Sequence, residues 1–260
     1  LNDGNLNYCV LIPTYNNDRT LAEVISGAMF YAAAVIIVND GSTDRTGEVL
    51  ERFRGIIDII TFSKNRGKGA ALRRGLQRAA ELGYQYAITL DADGQHLPTE
   101  IPKLLEKVRP GADSLIIGSR DLTTANVPSK SIFGRKFSNF WVKLETNRDL
   151  VDTQSGFRLY PVAKINQFHF FTVKYDFELE TLVRWIWRGY PVEIAPIKVY
   201  YPPPAERVSH FKGFRDNFYL SRLNTVLVII TIVYIAPRRF FRLMVKIIKN
   251  FFRLPVKNEE

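Results

Sequence analysis

The chain reads as an α/β fold built on a mainly parallel sheet flanked by helices. Three observations predict this. Short apolar runs alternate with helical stretches through the first 120 residues. Polar and glycine-containing clusters fall just after those runs. Three consecutive prolines, Pro202–Pro204, close the alternation, and a segment of different composition follows. Strands alternating with helices of about 10–15 residues imply βαβ units and parallel pairing.

In chain order, Tyr8–Pro13 is an apolar strand that buries Cys9, and Leu21–Tyr31 has helical spacing. Ala34–Val38 is a strand ending in the turn signal Asn39-Asp40-Gly41, and Ser42–Arg54 reads as a helix with Ser42 or Thr43 at its N-cap. Ile56–Phe62 is a third strand, Gly69–Leu82 a helix, and Tyr86–Leu90 a fourth strand running into Asp91-Ala92-Asp93-Gly94. Pro98–Val108 reads as a helix and Ser114–Gly118 as a strand. The middle, from Asp121 to Tyr200, is less regular. There Asp152–Arg158 reads as a loop entering a strand, Phe177–Arg188 as an aromatic-rich helix and Val192–Tyr200 as a strand. In open α/β sheets ligands bind at the carboxyl edge of the strands, which is where the polar clusters fall.

The prolines place a boundary between a body, residues 1–216, and an apolar, basic tail, residues 217–260. From Ala205 onward there are eleven Lys or Arg against four Asp or Glu, so that stretch carries seven of the net ten positive charges. Leu223–Ala236 is strongly apolar, and Pro237 is expected to break it. Beyond it Arg239, Arg242, Lys246, Lys249 and Arg253 recur in steps of three and four, one stripe on a helix otherwise made of Phe, Ile, Leu and Val. That pattern is expected of an interfacial membrane helix, each basic residue near an anionic leaflet contributing about 1 kcal/mol. The apolar core Thr225–Ala236 covers roughly 18 Å as a helix, short of a hydrocarbon core of ~30 Å. Nucleic acid is not the expected partner, because the aromatic residues form a continuous apolar face rather than spaced stacking platforms. The opening Leu-Asn-Asp-Gly-Asn has no signal-peptide pattern, so the body is expected at the cytoplasmic face of a membrane. A single cysteine excludes an intramolecular disulfide.

Three clusters carry chemistry. Asp91 and Asp93, one residue apart at a strand end, can share one hard divalent cation while leaving positions for diphosphate oxygens. Such an ion offsets the charge that develops on a departing nucleoside diphosphate. Asp40 can accept hydrogen bonds from a base or ribose. Lys64-Asn65-Arg66-Gly67-Lys68-Gly69 is a basic turn before a helix, suited to an anionic ligand, but it lacks the spacing of a P-loop. Each cluster alone is also explained by a solvated turn or a helix cap.

Together, Ile12-Pro13-Thr14-Tyr15-Asn16, Val38-Asn39-Asp40-Gly41-Ser42, Asn65-Arg66-Gly67-Lys68-Gly69, Asp91-Ala92-Asp93-Gly94-Gln95-His96, Gly118-Ser119-Arg120 and Asp152-Thr153-Gln154-Ser155-Gly156-Phe157-Arg158 occur in an order that closely resembles glycosyltransferase family 2. The subgroup it resembles is the dolichol-phosphate mannose and polyprenyl-phosphate glucose synthases, over roughly residues 7–215. The resemblance implies a GT-A fold, inverting hexose transfer from a nucleotide-diphosphate sugar, a lipid-phosphate acceptor and a Mg²⁺ or Mn²⁺ ion. By matching positions it implies that Pro13, Tyr15 and Asp40 hold the nucleoside, with Lys68 in the donor site. Asp91, Asp93 and Gln95 would hold the ion and diphosphate, and Arg120 would face phosphate. Arg207 and Lys212 match a basic loop that closes over the phosphates. Asn17 departs from the pattern, standing where the family often has a nucleoside-contacting Glu, and Asn39 replaces a common acidic residue.

An ionised lipid phosphate needs no general base, whereas a hydroxyl acceptor on a glycolipid or glycan does. Asp152 and Glu180 are the candidates for that base. A third reading, from another class, is an inactive membrane-bound scaffold that binds sugar nucleotides.

Overall fold

The computed structural model describes residues 6–109, 111–121, 129–201 and 213–251. Strands β1 (Tyr8–Thr14), β2 (Val35–Asn39), β3 (Asp58–Thr61), β4 (Tyr86–Thr89), β5 (Leu115–Arg120), β6 (Arg158–Pro161) and β7 (Val192–Ile197) form one seven-stranded sheet in the order β3-β2-β1-β4-β6-β5-β7. The β3-β2-β1-β4 half is parallel. β6 is antiparallel to both β4 and β5, and β7 is parallel to β5. The two reversals at β6 cancel, so β5 points the same way as β4. The carboxyl ends of β1, β2, β4 and β5 and the amino end of β6 therefore share one edge.

Helices α1 (Leu21–Tyr31), α2 (Thr46–Glu51), α3 (Lys68–Glu81), α4 (Ile101–Leu105, after a 3₁₀ turn at Pro98–Glu100), α5 (Ser129–Thr146), α6 (Val162–Ile165) and α7 (Asp176–Trp187) complete the body. Alternation along β1 sends Cys9 and Leu11 to one face, with Leu72 and Leu76 of α3 and Phe177 and Trp185 of α7. Val10 and Ile12 face the other side, with Leu21 and Ile25 of α1 and Ile101 and Leu104 of α4. Both faces of the sheet are thus covered, which is why β2 can read as an unbroken apolar run. Burying each Leu or Ile side chain contributes about 1.5–3 kcal/mol.

Three sequence expectations are corrected. The helix expected from Ser42 begins only at Thr46. Ser42 Oγ instead accepts from Asn16 N, Thr43 N donates to Asn16 Oδ1, and Asp44 Oδ1 accepts from Thr46 N. The two bonds to Asn16 tie the β1 and β2 loops together, and Asp44 takes up the first N–H of α2. Second, the middle contains α5, a helix that the reading of the sequence passed over. Third, Pro237 does not break the tail.

Helix α8 (Gly213–Ile230) runs through a π-helical turn, Thr231–Ile235, into α9 (Ala236–Phe251). Proline lacks an N–H and its ring collides with the carbonyl four residues back. The wide turn, in which Ala236 N–H reaches back to Thr231 O, absorbs that mismatch just before Pro237. Leu223 and Leu227 of α8 belong to the core of the body, so the boundary drawn at 216/217 runs through a helix that packs on it. Thr231 Oγ1 and Arg239 Nη1 donate to the last carbonyls of α5, Glu145 O and Thr146 O. Phe218–Val245 is a 28-residue helical run that by length and composition is long and apolar enough to cross a bilayer. The side chains of Arg242, Lys246, Lys249 and Arg253 lie outside the described residues.

Candidate active site

The shared sheet edge gathers most of the predicted residues. Asp91 and Asp93 follow β4, Lys68 opens α3, Arg120 ends β5, and Asp152 lies in the loop entering β6. Lys68 Nζ stands 2.6 Å from Asp91 Oδ1 and 3.2 Å from Glu178 Oε1. Burial works against the Lys68 ammonium, but Asp91 and Glu178 outweigh it and hold the group charged far above the ordinary lysine range. Burial would likewise raise Asp91, yet Lys68, with Arg120 beyond it, keeps that carboxyl below its usual value.

Asp93 behaves in the opposite way. Burial and the neighbouring Asp91 charge push its carboxyl up to about 6, against the hydrogen bond that Gln95 N donates to its Oδ1 at 3.0 Å. Two hard oxygen donors close together, one strained toward protonation, suit Mg²⁺ or Mn²⁺. Among the described residues no cluster of three or more acidic, His or Cys side chains could hold a metal alone. Thr20 Oγ1 donates to Ala92 O at 2.6 Å and anchors the loop to α1.

Across the edge, Arg120 pairs with Asp152 through both its guanidinium and its backbone N–H. Burial would raise the Asp152 carboxyl, but the Arg120 guanidinium holds it below the usual carboxylate range. Arg135 of α5, which the sequence did not single out, donates from Nη1 to Arg120 O at 3.5 Å. Loop 152–156 is fixed by Arg158, whose buried guanidinium donates to Ser155 O, Thr153 O and, on α7, Glu178 O at 2.6–2.8 Å. Thr89 Oγ1 ties the same loop to β4 through Gly156 O.

Other predicted residues take less direct places. Asp40 is buried, and its two oxygens accept from Arg66 N and Gly67 N at 2.7 and 2.8 Å, so its carboxylate shapes the basic turn. Pro13 is a strand residue in register with Val38, and Tyr15 is half-buried at the β1 loop. Asn17 is buried, with its N–H on Thr46 Oγ1. Gln95 O accepts from Tyr200 N. His96 stacks on Phe157 with Nδ1 3.5 Å from Asp91 Oδ2, and burial pushes its pKa down to about 4, so the ring is neutral. Glu180 is corrected: its buried carboxylate accepts from Phe171 N, Thr172 N and Thr172 Oγ1 and meets Arg184 Nε at 2.7 Å. It closes the turn before α7 and does not reach the edge as a base. Glu178, two residues earlier and on the opposite side of α7, is the acid the sequence did not single out. Arg207 and Lys212 lie outside the described residues. Cys9 is buried with its thiol pushed up to about 12, an inert core residue.

Comparison with known proteins bears on the family and the fold. The model of glycosyl transferase family 2 matches residues 9–168. Polyprenol monophosphomannose synthase of Mycolicibacterium smegmatis is 29% identical over 201 residues, covering 72% of this chain and 75% of its own. Dolichol-phosphate mannosyltransferase of Pyrococcus furiosus is 31% identical over 159 residues, 57% of this chain and 44% of its own. Glucosyl-3-phosphoglycerate synthase of Mycobacterium tuberculosis, solved with Mn²⁺, UDP and glucosyl-3-phosphoglycerate, superposes with a TM-score of 0.64 at 17% identity, over 88% of this chain and 79% of that one. At that identity the likeness is one of fold.

Proposed function

Because this chain belongs to glycosyl transferase family 2, we propose that it moves a hexose from a UDP- or GDP-sugar to a polyprenyl or dolichyl phosphate, or a related lipid phosphate, at the cytoplasmic face of a membrane. The observation that carries this reading is the meeting of Lys68, Asp91, Asp93 and the Arg120–Asp152 pair at one sheet edge. Asp91 and Asp93, with Gln95 beside them, would hold Mg²⁺ or Mn²⁺ and the donor diphosphate. The ion, when bound, supplies Lewis-acid stabilisation of the leaving group. Lys68 adds a fixed positive charge there, where the diphosphate becomes more negative. Arg207 and Lys212 would close over the phosphates, while Pro13 and Tyr15 line the nucleoside side.

The acceptor follows from which acids are occupied. Asp152 is bound on both oxygens by Arg120 and its carboxyl is depressed, which makes it a weak base. Glu180 is saturated by backbone N–H groups. A phosphate already ionised needs neither, and Arg120 with Arg135 offers it two cations. The relatives named above act, by name, on polyprenol and dolichol phosphates. A lipid-borne acceptor also fits the apolar Phe218–Val245 helix and the exposed Phe133, Phe137, Phe140 and Leu144, which follow one another at helical spacing along α5.

The test is transfer of radiolabelled sugar from UDP- and GDP-sugars, with Mn²⁺ or Mg²⁺, into the organic phase. Polyprenyl phosphate, free polyprenol and diacylglycerol serve as parallel acceptors. Label on polyprenyl phosphate alone supports the proposal. Label on the free alcohols transfers support to the hydroxyl acceptor, and no label with any donor favours the scaffold reading.

A further inference from the structure

Glu178 stands where simple electrostatics would not place an acid. With Asp91 it makes two carboxylates against one ammonium, at an edge that on the reading above must admit a diphosphate. Its Oε1 is buried, accepts no hydrogen bond among the described residues, and stands 3.2 Å from the Lys68 ammonium. The backbone is built to keep it there. Arg158 Nη1 grips the carbonyl of Glu178 at 2.6 Å. A Cβ on Gly69 would come within 2.5 Å of Phe177 Cβ, so only glycine lets the start of α3 approach α7 this closely. A Cβ on Gly156 would lie 2.8 Å from both Asp91 Oδ2 and Glu178 Oε1 and 3.0 Å from Lys68 Nζ, so a bare backbone closes the cluster from above.

Asp91 has two demands on it, Lys68 and the divalent ion. When its oxygens serve the ion, Lys68 needs a second anchor, or its flexible stem with several rotatable bonds lets the ammonium swing away. We propose that Glu178 is that anchor, a positioning residue that fixes the Lys68 ammonium against the donor diphosphate. Glu178 lies on α7, beyond the residues 9–168 matched by the family model. The inference rests on the donor-site reading of the previous subsection.

The two views of Glu178 predict opposite signs. If it were only a nearby negative charge, Glu178→Gln would tighten binding of a diphosphate. As an anchor for Lys68, its loss weakens that binding, by about tenfold if it acts like partners that orient the ligands of a metal site. The experiment is calorimetric binding of UDP and GDP to the full chain with Mn²⁺, with uridine and guanosine as phosphate-free controls, in the wild type, Glu178→Gln, Lys68→Met and the double variant. The expected result is about tenfold weaker diphosphate binding in Glu178→Gln with nucleoside binding unmoved, and no further loss when it is added to Lys68→Met. Unchanged or tighter diphosphate binding in Glu178→Gln, or full additivity in the double variant, overturns the proposal. Should Glu178→Gln melt far below the wild type, Glu178→Asp, which keeps the charge but withdraws it by one methylene, is expected to show the same loss in smaller measure. Wild-type binding by a folded Glu178→Asp, beside a destabilised Gln variant, would assign Glu178 to stability alone. A wild type that binds neither nucleotide sinks the donor-site reading itself, an outcome separate from wild-type binding that the variant leaves intact.

Discussion

Arg120 and Asp152 are joined by three hydrogen bonds: Nε and the backbone N–H of Arg120 reach Asp152 Oδ2 at 2.8 and 3.0 Å, and Nη2 reaches Oδ1 at 2.9 Å. Asp152 is fully buried, and the Arg120 side chain is 16% exposed. Removing one partner leaves an uncompensated charge in low dielectric, so Asp152→Ala should destabilise the fold by about 3–5 kcal/mol. Urea unfolding of the two proteins checks this, and a loss below about 1 kcal/mol, the size of an exposed pair, would contradict it.

Asp93 supplies a pH dependence. Its carboxyl, pushed up to about 6 by burial and by Asp91, must lose its proton to bind a cation. Mn²⁺ affinity, followed by electron paramagnetic resonance between pH 5 and 8, should rise through about pH 6 and then level off. Asp93→Asn should bind Mn²⁺ at least about tenfold more weakly and lose that inflection. An affinity flat across the range in the wild type would refute the assignment.

Glu145 makes a second prediction, about stability. Its carboxylate is fully buried, neither oxygen has a hydrogen-bond partner among the described residues, and burial pushes its pKa from 4.5 up to about 8. Between those values the folded chain holds a proton that the unfolded chain has released. Unfolding free energy from this group therefore falls as pH rises from about 4.5 to 8, with a slope of up to about 1.4 kcal/mol per unit, and is level above. Glu145→Gln should remove the slope and be the more stable protein at pH 8. Parallel stability–pH curves for the two would count against it.

The aromatic stripe on α5 predicts membrane behaviour. Phe133, Phe137 and Phe140 are exposed. Replacing all three by Ser should reduce sedimentation with anionic liposomes severalfold while leaving the melting temperature within about 2 °C, as expected for surface substitutions. Unchanged sedimentation would mean that the C-terminal helix alone holds the protein to lipid.

Much of the fold was legible because burial imposes its period on the sequence. Leu21–Tyr31 was read with the bounds the structure gives it, since its buried residues, Leu21, Val24, Ile25 and Ala28, follow helical spacing. The strand-end clusters led to the edge where Lys68, Asp91, Asp93, Arg120 and Asp152 meet. What failed was decided by contacts between distant segments. Ser42 and Thr43 look like caps, but Asn16, 26 residues or more away, takes their bonds. Helix α5 was hidden because much of its apolar residue content faces outward, which weakens the contrast that marks a buried face. Pro237 reads as a stop, and only a turn of unusual width just before it lets the helix continue. Glu178 and Glu180 share one short acidic string. The turn at Phe171–Thr172 claims the second, and Lys68, distant in sequence, claims the first.

Arg158 links the acceptor side and the donor side of the proposed site. One guanidinium holds the carbonyls of Thr153 and Ser155, next to the partner of Arg120, and the carbonyl of Glu178, beside Lys68. On the proposed reading, the strip of chain that would meet the incoming nucleophile and the helix that would steady the departing group are pinned to the same bolt. A change that retunes the first will shift the second, so altering which lipid is accepted without disturbing grip on the nucleotide would require substitutions that leave those three carbonyls where they are.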